Sequence, residues 1–111
     1  MNLEQLYSSH NLHDSVLTKF TYSLENRHAF CELIIEDAPH QYSCSISFND
    51  ITLFIIESNN SDFIENELID IKVLSEDGEY FRGFFSEGFG KAGKLIEIRC
   101  KMVEITVDIL V

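Results

Sequence analysis

Gly88, Gly90 and Gly93 spell G-x-G-x-x-G within "EGFGKAGKLIEI", and Gly88 to Lys94 also spell G-x-x-x-x-G-K. Either pattern binds phosphate when its glycines let the backbone close on the anion and a following helix offers its positive N-terminus. The residues beyond Lys94 oppose that chemistry. Leu95 stands where a magnesium-binding Ser or Thr is needed, and "KLIEIRCKMVEITVDILV" alternates apolar and polar residues and is rich in β-branched side chains. The stretch therefore predicts a turn between strands, with Lys91 and Lys94 solvated and no nucleotide cofactor.

Adjacent His13 and Asp14 in "LHDS" are of metal-ligand type, but such ligation needs further His and Asp on neighbouring helices, and this chain reads as strands. They are expected to form a structural turn in which Asp14 bonds local backbone N–H groups. Ser15, Ser43, Ser45 and Ser47 fall in strand-like alternation, and none sits at a strand-to-helix elbow that would expose a nucleophile. Cys31, Cys44 and Cys100 lie among apolar neighbours, without the short spacing of a zinc site, and are expected to be reduced, buried thiols. His10, His28 and His40 are scattered, and the carboxylate pairs in "EDAPH" and "SEDGE" read as solvated turns. No catalytic residue, metal site or cofactor is expected.

The elements that carry these residues follow from periodicity. "NLEQLYSS" places Leu3, Leu6 and Tyr7 at helical spacing, which predicts a short helix over about 2–9. Period two then takes over, with strands predicted over about 15–25, 28–36, 42–48, 51–57, 68–75, 79–86 and 94–111. A turn at Asn26-Arg27 sets Leu24 against Ala29, Tyr22 against Cys31 and Phe20 against Leu33. In "YSCSISF" Tyr42, Cys44, Ile46 and Phe48 alternate with Ser43, Ser45 and Ser47, and a turn at Asn49-Asp50 sets Phe48 against Ile51. A loop at Asp77-Gly78 brings Val73 towards Arg82 and Ile71 towards Phe84. In the last segment the apolar parity changes at Met102-Val103, which predicts a bulge or break. The sum is a mainly β, single-domain antiparallel sandwich or open barrel of about seven strands, built from hairpins, with one N-terminal helix.

The chain has 111 residues, which suits one core. "MNLEQLYSSH" shows no secretory signal, so a cytoplasmic location is expected. The net charge is −11, and residues 25–79 hold thirteen acids against Arg27 and Lys72. Such a surface repels nucleic acid and anionic membrane and suits a basic protein partner. Glu57, Asp62, Glu65, Glu67 and Asp70 are the candidate partner-binding residues. Exposed apolar strand positions such as Phe54, Ile56, Phe81 or Phe85 offer the alternative of a self-pairing β module, a homodimer.

"LHDS" before the first hairpin and "GKLIEIRCKMVEI" near the end give the chain a layout that resembles a loose group of small bacterial β-rich proteins, some of them similar to immunity proteins of polymorphic toxin systems. His13 and Asp14 match the opening turn of that pattern, and Glu97, Cys100 and Glu104 match its closing strand. The resemblance implies a non-catalytic role, covering a toxin surface that is often basic.

Overall fold

The computed structural model describes residues 1–13, 15–59, 67–74, 78–86 and 93–110. Helix α1 (Leu3–Ser9) is followed by β1 (Val16–Ser23), β2 (His28–Asp37), β3 (His40–Asn59), β4 (Glu67–Leu74), β5 (Gly78–Ser86) and β6 (Gly93–Ile109). Seven residues cannot sustain an isolated helix in water. Asn2 holds its first turn with a capping box: the Asn2 side chain accepts from Gln5 N–H, and the Gln5 side chain accepts from Asn2 N–H, each at 2.8 Å. Leu3 and Leu6 are fully buried, and Tyr7, expected on the same face, stands exposed. A second tether joins the helix to the sheet, where the buried Glu79 carboxylate accepts from Leu3 N–H at 2.6 Å.

The strands form one antiparallel open sheet in the order β1-β2-β3-β6-β5-β4. Among the described residues six strands stand where seven were expected, and one folded open sheet stands where a sandwich or open barrel was expected. The difference lies at Asn49-Asp50. No hairpin forms there: Asp50 is left-handed (φ 55°), but the strand runs on through it to Asn59, paired with β6 on both sides. Phe48 consequently lies opposite Ala29 and Val103, and Ile51 lies opposite Cys100. Strands β3 and β6 run through both halves of the sheet as its shared spine, with a register shift between Ile51 and Leu53.

The phase change expected near Met102 is present inside a continuous β6: Cys100 and Val103 are buried, and Met102 is exposed. The first hairpin keeps its faces but slides by two residues, so Tyr22 pairs with Ala29 and Phe20 with Cys31. Its loop is Leu24 to Arg27, closed by Arg27 N–H to Leu24 O, with Arg27 left-handed (φ 49°). A slip of two preserves side-chain parity, so Phe20 stays on the core side with Ala29, Cys31 and Leu33, while Tyr22 and Leu24 of the expected row stand exposed. Strand β1 also bulges between Leu17 and Lys19, turning Leu17 and not Val16 inward. In the β4–β5 hairpin, Ile71 pairs with Phe81 and Val73 with Glu79, three residues from the expected register, with a shift between Leu68 and Asp70.

The core forms where the bent sheet closes on itself. Phe48 from one half meets Phe81 from the other edge-to-face at 5.2 Å, and Leu3, Leu6 and Leu12 join them. On the opposite flank Phe54 lies against Phe20 at 6.1 Å and Tyr22 at 4.9 Å. Burying each large side chain here contributes roughly 1.5–3 kcal/mol of transfer free energy before its ordering entropy is subtracted. Phe81 and Phe85 are thus core residues, which removes them as exposed self-pairing positions, while Phe54 and Ile56 pack against the core and stay partly exposed.

Candidate protein-docking face

The alternation that buries Ala29, Cys31, Leu33 and Ile35 must turn Phe30, Glu32, Ile34 and Glu36 to the other face. Along β3 the same rule buries Cys44, Ile46 and Phe48 and leaves Ser43, Ser45 and Ser47 outward. Along β6, beyond the phase change, Glu104, Thr106 and Asp108 are exposed. Register assembles these into rows across three strands: Phe30–Ser47–Glu104, Glu32–Ser45–Thr106 and Ile34–Ser43–Asp108, with Glu36 opposite Gln41 beyond them.

The result is a strip of serines flanked by two files of carboxylates, Glu32 and Glu36 on β2 and Glu104 and Asp108 on β6. Strand geometry staggers the two files by about 6.7 Å along the strands and separates them by about 10 Å across β3. The floor is low and polar, so a partner's backbone can approach closely. Lys19 lies opposite Glu32 and 5.7 Å from the Phe30 ring centre. One carboxylate is already engaged locally, since Gln41 Nε2 donates to Glu36 Oε1 at 2.6 Å.

The other half of the outer surface is mixed in charge. Arg82 lies opposite Glu97, and Glu97 accepts from the Tyr80 hydroxyl at 2.8 Å. The Arg99 guanidinium sits 5.6 Å from the Tyr80 ring centre. Cations and carboxylates alternate here, so the field largely cancels.

Of the residues singled out in the sequence, Glu57 is exposed on β3 opposite Leu95, and Glu67 and Asp70 lie on edge strand β4 opposite Phe84 and Arg82. Asp62 and Glu65 lie outside the described residues, as does Asp14. His13 is exposed in a turn closed by Ser15 N–H and Ser15 Oγ, both donating to Leu12 O. Among the residues that match the resemblance, Glu104 belongs to the face with the serine strip, Glu97 to the mixed half and Cys100 to the core. Glu32, Glu36 and Asp108 were not among the partner-binding residues singled out in the sequence; the signal it held was the four-residue spacing of Glu32/Glu36 and of Glu104/Asp108 within their strands. Only the register, however, puts them either side of the serine strand.

Cys31, Cys44 and Cys100 are free and buried. Burial pushes the Cys44 thiol up to about 12. Cys100 is pushed up to about 11, first by burial and then by the nearby Glu79 charge, against lowering hydrogen bonds from Met102 and Asn49 backbone. Cys31 is raised still further, by burial and by the neighbouring Cys44. At neutral pH all three are protonated and poor nucleophiles. The glycine-rich stretch 87–92 lies outside the described residues, and the chain resumes at Gly93 as β6, so Lys94 opens a strand and no helix. At the far end of the sheet His10 packs edge-to-face on Tyr42 at 4.6 Å, and its buried Nδ1 lies 3.4 Å from Asp37 Oδ2 without a hydrogen bond. Among the described residues, no group of three or more His, Cys, Asp or Glu is placed to hold a metal, and no helix is long and apolar enough to cross a membrane. Comparison with protein families, curated proteins and solved structures found no match for this chain.

Proposed function

We propose that the protein is a non-catalytic cytoplasmic binding protein that occludes a basic surface on another protein, the role that the resemblance to immunity proteins implies. The observation that carries this reading is the serine strip between the carboxylate files of Glu32, Glu36, Glu104 and Asp108. Their spacings are close to the Debye length of about 8 Å at physiological ionic strength, so they act as one field that added salt readily weakens. Glu57 on the distal part of β3 and Glu67 and Asp70 on the β4 edge form a second, separate acidic candidate, and Asp62 and Glu65 fall between them in sequence. Charge steering of this kind raises association rates by roughly 10- to 1,000-fold.

The test is to recover a stoichiometric basic partner from the native cell at low salt and then measure its association kinetics. Neutralising Glu32, Glu36 and Glu104 to Gln, with Asp108 to Asn, is expected to slow association about tenfold or more at low salt and to change little at 1 M salt. The same measurement on Glu57→Gln, Glu67→Gln and Asp70→Asn separates the sheet face from the β4 edge. An association rate indifferent to both sets and to salt removes the acidic surface from the function.

A further inference from the structure

A different part of the surface carries a second kind of contact. Where the first hairpin's tip approaches the distal half of β3, Ser23, Leu24, Arg27, His28, Ile51, Thr52, Leu53 and Phe54 line an open crevice of about 140 Å³. A small-molecule site is typically about 300–1,000 Å³, so this crevice is sized for one side chain and not for a metabolite. Beside it stand two of the most solvent-exposed large apolar groups, Leu24 at 67% and Tyr22 at 53%. Tyr22 stacks obliquely on Phe54, 4.9 Å between ring centres, so the rim is aromatic and held in place.

We propose that this crevice is a homodimer contact, in which Leu24 of each copy enters the crevice of the other. Three observations select a second copy as the occupant. The projecting side chain and the hole of matching size lie on one patch, which is what a two-fold interface requires: each copy offers both halves of the contact. The patch also escapes the acidic excess of the chain, so two copies meet there without strong repulsion, since residues 16–28 carry Lys19 and Arg27 against Glu25. Finally, the bend holds the hole open in a fixed shape. Ile51 N–H donates to Arg27 O at 3.0 Å, tying the hairpin tip to the start of the distal half of β3. Edge-to-edge strand addition is a poorer route to the same dimer, because β1 bulges at Thr18 and carries Lys19, both devices that blunt an exposed edge. The contact is therefore made by side chains at the tip.

The test is molecular mass by light scattering or sedimentation across a millimolar-to-micromolar dilution series of the full chain. The expected mass doubles at high concentration, and the dimer tightens as salt rises, because screening removes repulsion between two copies of net charge −11. That is opposite in sign to binding through the carboxylate files, so failure of either proposal is distinguishable from failure of the other. Leu24→Asp, at an exposed loop position, should weaken the dimer at least tenfold, and Thr52→Tyr, which fills the crevice from an exposed strand position, should do the same. Met102→Asp, at an exposed apolar residue outside the crevice, should leave it unchanged. A wild-type monomer throughout the series overturns the proposal, and so does a dimer that Leu24→Asp leaves intact or that Met102→Asp weakens equally.

Discussion

At the scale of the residue, the buried polar groups serve structure. The three thiols are protonated because the sheet excludes water from them, and the raised Cys44 and Cys100 values set a pH dependence. A thiol held above its unfolded value of roughly 8.5 stabilises the fold fully below that pH, and the contribution is lost as pH rises through the folded values near 11 and 12. Thermal melts should therefore show little thiol-linked change from pH 7 to 8 and a falling midpoint above about pH 9. Alkylation by iodoacetamide at pH 7.5 should be slow in the native protein and fast in denaturant; rapid native labelling would contradict the burial. Glu79 is the second case. Its carboxylate holds Leu3 N–H from the far side of the chain, and Glu79→Gln, which keeps the shape and removes the charge, should destabilise by about 1–2 kcal/mol in urea unfolding.

At the scale of the element, two backbone positions decide the architecture. Gly78 begins β5 at φ +106°, and a Cβ there would press on the Cys100 carbonyl and lie 2.8 Å from Lys101 Cα. Those are backbone atoms of the central β6, which cannot yield. Gly78→Ala should therefore cost about 2–4 kcal/mol, read as a melting-point drop of roughly 10 °C or more. Asp50 is the second position, since its left-handed conformation lets β3 bend and continue where a hairpin was expected. Asp50→Val, β-branched and strained at positive φ, should cost about 1–2 kcal/mol, and Asp50→Gly should be near neutral. In the sequence, Asn49-Asp50 is indistinguishable from a hairpin turn, because the same φ serves a tight turn and a strand bend. What separates them is the partner strand. Val103 and Cys100 of β6 lie opposite Phe48 and Ile51, and they keep the ladder running through the bend. The extent of the helix, by contrast, was legible, because its cap acts on backbone groups within its own turn, although Tyr7 proved exposed.

At the scale of the whole molecule, the two proposed contacts call for opposite salt behaviour. The carboxylate files on the outer face repel anions and attract cations, and the crevice at the hairpin tip is lined by apolar and polar side chains together and carries little local net charge. A basic partner should thus bind more weakly as salt rises, and self-association should strengthen. The sequence alone determined the class of the fold, because alternation fixes which side chains share a face of a strand whatever that strand pairs with. It determined the buried cysteines, the capped helix and the phase change in β6 for the same local reason. Only the tertiary structure decided that one bent sheet replaces two layers, and that Phe81 and Phe85 are buried. Only register set Glu32, Glu36, Glu104 and Asp108 around a serine strip. Those outcomes depend on pairing between residues as far apart as Ser47 and Glu104, and side-chain periodicity along one strand carries no information about which distant strand will lie beside it.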